Sequence, residues 1–74
     1  MPKLPRLTGT ELLKALQRLG FSVVRVKGSH HIMKSDDGRR TVVPIHSGET
    51  IGPGLLSKIL DEAEVTVEEL ISVL

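Results

Sequence analysis

Two turn signals, Gly28-Ser29 and Asp36-Asp37-Gly38, bracket a six-residue β-prone segment, and connections this short join antiparallel neighbours rather than parallel ones. The middle of the chain is thereby limited to a meander of three short strands. Residues 30–35, with Ile32 and Met33, form the central strand. Residues 40–45 carry Thr41, Val42 and Val43 as the third, and Pro44 stops pairing near its end. Residues 21–27 form the first. There Phe21, Val23 and Arg25 share one face if alternation is strict, with Val24 and Val26 on the other face or, through a twist, on the same one, so the register of this strand stays open.

Helix signals flank the meander. Thr8 and Glu11 form a T-x-x-E capping box, Leu7 and Leu12 stand where a hydrophobic staple would close it, and Leu12, Leu16 and Leu19 make one apolar face before Gly20 ends the helix. After a polar loop over residues 47–54, Pro53 suits the first turn of a second helix capped by Gly52, with Leu56, Ile59, Leu60 and Ala63 as its buried stripe. Thr66 and Glu69 repeat the capping box, with Val65 and Leu70 as a staple, and predict a short helix reaching the C-terminus. The expected architecture is α+β, in the order α-β-β-β-α plus a helical tail, with two helices packed on one face of a three-stranded antiparallel sheet. The chain has 74 residues, which is room for one hydrophobic core, and residues 1–7 are expected to form a mobile arm.

Phe21 is the only aromatic, so the core must be built from Leu, Val and Ile. No cysteine is present, which suits a reducing compartment such as the cytoplasm, and neither a membrane span nor a secretion signal is expected. Formal net charge is only +1, but residues 1–40 carry nine Lys and Arg against three acids, whereas residues 41–74 carry one Lys against six. A +6 half and a −5 half are thus joined in one small molecule, and the first half is the candidate face for a polyanion.

The histidines point to chemistry. His30 and His31 sit side by side at the start of the second strand and His46 follows the third. Imidazole titrates nearest neutrality, so such a ring can take a proton from a ribose 2′-OH without a metal. Gly28 and Ser29 would let a backbone approach closely, and Arg25, Lys27, Lys34, Arg39 and Arg40 could neutralise phosphate along the same hairpin. No metal site or cofactor is expected, because adjacent residues on a strand point to opposite faces and His30 and His31 cannot readily share one ion. The competing account of these residues is a hydrated basic surface, which without interleaved aromatics has no stacking platform for splayed bases.

The chain resembles the HicA (YcfA-like) family of toxin ribonucleases from Thr8 to about Leu70. The resemblance rests on Leu12-Leu13-Lys14-Ala15-Leu16 with Gly20-Phe21, on Arg25-Val26-Lys27-Gly28-Ser29-His30-His31-Ile32-Met33, on Thr41-Val42-Val43-Pro44-Ile45-His46, and on Ile51-Gly52-Pro53-Gly54-Leu55-Leu56 leading into Ile59-Leu60. It implies a double-stranded-RNA-binding-domain-like fold, cleavage of mRNA, and neutralisation by a HicB-type antitoxin protein. The histidine of the family's G-S-H-type motif falls on His30 in its commonest form and on His31 in another. Strand alternation turns His31 outward if Ile32 points into the core, so motif and geometry favour different rings. His46 matches a histidine that follows the proline of the third strand, with phosphate contact or loop support as its implied role. The expected function is that of a metal-independent endoribonuclease. A non-catalytic double-stranded-RNA-binding module and a pure protein-interaction domain are the alternatives.

Overall fold

The computed structural model describes residues 3–74. Its elements run α1 (Gly9–Arg18), β1 (Phe21–Lys27), β2 (His30–Ser35), β3 (Arg40–Pro44), α2 (Pro53–Ala63) and α3 (Val67–Ser72). The strands form an antiparallel sheet in the order β1-β2-β3, as a meander requires. The architecture is the α+β, double-stranded-RNA-binding-domain-like one expected from the sequence. Among the described residues no helix is long and apolar enough to cross a membrane.

Both capping boxes are formed. Glu11 N donates to the Thr8 hydroxyl at 3.2 Å while Thr8 N donates to Glu11 Oε1 at 2.9 Å, and Thr66 and Glu69 repeat the exchange at 3.1 and 3.0 Å. Each box satisfies amides that a helix start leaves without partners. The same bonds hold the Glu11 and Glu69 carboxyls below the ordinary carboxylate range, the backbone donor being the larger cause. Pro53 opens α2 as expected, and no side chain caps that helix. Met1 and Pro2 of the expected arm lie outside the described residues. Further along it, Leu4 packs partly against the core, Leu7 is buried, and Ile51 N donates to the Leu7 carbonyl at 2.7 Å.

One face of the sheet carries the core. Phe21, Met33, Thr41 and Val43 are buried there against Leu12 and Leu16 of α1, Leu56, Ile59 and Leu60 of α2, and Leu70 of α3. Among the described residues Thr41 is the one buried polar residue, and its hydroxyl donates to Glu62 Oε1 at 3.1 Å, tying β3 to α2. Gly9, in the first turn of α1, is buried against the end of β3. A Cβ at Gly9 would overlap the Pro44 carbonyl oxygen and lie 3.0 Å from the Ile45 Cα. The helix therefore reaches the strand end only because this side chain is absent.

The register of β1 is settled by a bulge at Val24. Val23 pairs with Met33 and Arg25 with Ile32, so Val24 is left without an opposite number. Phe21, Val23 and Val26 consequently share the helix-covered side, while Ser22, Arg25 and Lys27 share the open side. Strict alternation would have put Arg25 and Lys27 with Phe21.

Candidate functional site

The open face of the sheet is built from alternate residues of all three strands. Lys27 lies opposite His30, which lies opposite Pro44. Arg25 lies opposite Ile32, which lies opposite Val42, and Lys34 lies opposite Arg40. No strand residue is acidic. Among the described residues the one ion pair is Arg39–Asp37, so no carboxylate neutralises Arg25, Lys27, Lys34 or Arg40. Like charges placed directly opposite, as Lys34 and Arg40 are, destabilise a sheet. This arrangement gives the face the charge to attract an external anion.

The two adjacent histidines part company. Met33, not Ile32, points into the core, so the alternation runs opposite to the condition under which His31 would face outward: His30 is the exposed ring on the open face, and His31 lies half-buried on the helix side. His31 Nδ1 stands 3.1 Å from the Ser29 carbonyl oxygen. A carbonyl only accepts, so Nδ1 carries the proton and the ring braces the hairpin loop. That loop has two residues, and only the first, Gly28, has positive φ (59°), the arrangement of a II′ hairpin turn.

Arg39 stands apart from the other cations. Its Nε donates to Asp37 Oδ1 at 2.9 Å, its Nη1 donates to the Ala63 carbonyl at 3.1 Å, and its guanidinium lies 5.0 Å from the centroid of the Phe21 ring. These contacts clip the second turn to the end of α2. Asp37 also accepts from the Ser35 hydroxyl, and that bond, followed by the bond from Arg39, holds its carboxyl at about 2 rather than the usual 3.8.

The chain beyond β3 brings His46 toward His30. Ile45 N donates to the Ser29 carbonyl at 2.8 Å, prolonging the pairing by one residue, and Ile45 packs against the core. The turn that follows is closed by Glu49 N donating to the His46 carbonyl at 3.0 Å, with Gly48 at φ 76°. A groove of about 520 Å³ runs from this strand end to α2. His30, Val42, Pro44 and His46 line one side, and Leu55, Lys58, Ile59 and Glu62 of α2 the other, with Glu49 at the loop. Lys58 is the residue that sequence reasoning passed over. A signal for it existed, because Leu55, Lys58 and Glu62 recur at helical spacing on the flank of the buried stripe, and Lys58 is the lone Lys or Arg of residues 41–74.

Of the residues singled out in the sequence, Arg25, Lys27, His30, Lys34 and Arg40 are gathered on one face, His46 is brought to its edge, and Gly28 and Ser29 form the turn beside it. His31 and Arg39 are directed elsewhere. Among the described residues no three His, Asp or Glu side chains come together as a set of metal ligands.

Comparison with curated proteins gave no match. The family model for the HicA toxin of bacterial toxin-antitoxin systems matches residues 9–65, from the first residue of α1 to just past α2. That span takes in the whole sheet, the basic face and all three histidines, and the chain belongs to the HicA toxin family.

Proposed function

We propose that this toxin is a metal-independent endoribonuclease that cuts mRNA, with His30 as the base that starts the reaction. The observation that carries the reading is the position of His30: an exposed imidazole on a sheet face lined by four cations without carboxylate partners. RNA phosphates seated on Arg25, Lys27, Lys34 and Arg40 would bring a ribose to the Gly28 turn, where no side chain obstructs approach. His30 takes the proton of the 2′-OH, O2′ attacks phosphorus, and a 2′,3′-cyclic phosphate remains on the upstream product. Lys27, directly across the sheet from His30, offsets the charge that builds on the phosphoryl oxygens.

A HicB-type antitoxin would neutralise the toxin by covering this face, with acidic residues complementing the exposed cations and access to His30 blocked. The experiment compares His30→Ala and His31→Ala on cellular RNA, with cut ends mapped for cyclic phosphate. Loss of cutting by about 10²- to 10⁴-fold is expected for His30→Ala, and a far smaller change for His31→Ala. Salt-sensitive RNA binding without cut strands would select the non-catalytic RNA-binding module instead.

A further inference from the structure

Cleavage by His30 alone leaves the departing 5′-oxygen without a proton, and the groove beside it holds a second imidazole. Resting on the reading above, we infer that His46 is the general acid of the reaction and that His30 and His46 work as a base–acid pair. The argument begins with the backbone. Pro44 pairs with His30, and the Ile45 amide is bonded to Ser29, so the strand end carrying His46 is held against the hairpin that carries His30. Alternation does the rest: Ile45 turns to the core, which sends Pro44 and His46 to the side of His30. Both rings are exposed and line the same groove. Lys58 enters that groove from α2 beside the carboxylates Glu49 and Glu62, and it is the one Lys or Arg among the groove's lining residues available to hold the phosphate near the rings.

The step balances without any further reagent. Neutral His30 takes the 2′-OH proton as the O2′–P bond forms, the P–O5′ bond breaks, and protonated His46 delivers its proton to O5′. The pair ends with the charges exchanged, and solvent restores the starting forms.

The test is leaving-group rescue. Cut sites on cellular RNA are mapped with the unaltered protein, and an oligoribonucleotide spanning one site is made in two forms, the ordinary one and one with sulfur replacing the bridging O5′. Sulfur departs as a thiolate, whose conjugate acid has a pKa near 8.5, and needs no proton. His46→Ala should cut the ordinary oligonucleotide about 10²- to 10³-fold more slowly and the sulfur-bridged one near the unaltered rate, whereas His30→Ala should be slow on both. Unchanged thermal melting, expected for an exposed residue, shows that the variant is folded. A His46→Ala defect equal on both substrates, or no defect on either, overturns the assignment while leaving His30 as the base. If the unaltered protein leaves RNA intact, or His30→Ala cuts normally, the nuclease reading falls and the pair with it.

Discussion

The two faces of the sheet are made from the same three strands and follow opposite rules. On the helix-covered face Phe21, Met33 and Val43 are sealed among leucines, and the buried Thr41 hydroxyl is bonded to Glu62. On the open face cations stand opposite one another with no acid among them. Residues next to each other in sequence are thus divided between the two faces, as His30 and His31 are. The lesson is that the open face is the informative one: packing accounts for the buried residues of the first face, whereas the cations of the second are held by no packing contact and are the ones to test for binding.

Substitutions on the two sides should separate these roles. Met33→Ala, on the covered face, is expected to lower stability by about 2–5 kcal/mol in urea unfolding, and its neighbour Ile32→Ala on the open face by clearly less; equal losses would mean that the faces are not distinct. Gly9→Ala should cost about 1–3 kcal/mol, because the added methyl drives α1 off the end of β3, and the same measurement detects it. Glu64 ends α2 with left-handed backbone at φ 54°, a conformation that a non-glycine residue adopts at a cost, so Glu64→Gly should gain about 1 kcal/mol. Lys34→Gln relieves the clash with Arg40 and should gain about 0.2–1 kcal/mol, while RNA affinity falls and the slope of log affinity against log salt flattens by about 0.9. The smallest effect concerns acid. The Asp37 carboxyl sits at about 2, below its ordinary 3.8, so its contribution to stability is complete above that ordinary value and fades as pH falls toward 2. Asp37→Asn should accordingly flatten the acid limb of a stability profile and little else.

Much of this was legible in the sequence because it is written locally. Capping boxes at Thr8 and Thr66, the apolar stripes, Pro53 and the turns over Gly28 and Gly38 depend on residues within one or two turns of each other, and all recur in the fold. The bulge at Val24 was not legible: an inserted valine looks like any other β-branched residue, and its effect appears only when the strand meets Met33 and Ile32. For the same reason the sequence leaves the outward ring open between His30 and His31, and it is Met33 filling the core that turns His30 outward. Arg39 read as one more basic residue of the hairpin, yet its partners, Phe21 and the Ala63 carbonyl, are 18 and 24 residues away. Lys58 carried a helical-spacing signal, but its place in the groove depends on a long-range contact between α2 and β3.

The uneven distribution of charge gives this molecule a preferred direction of approach. Its total is +1, yet one side of the sheet is cationic while most of the acids sit on and after α2 and α3. In the field of a polyanion such an object feels little net pull and a substantial torque. In the proposed role it would turn before landing, presenting the open face of the sheet and the groove beside it first.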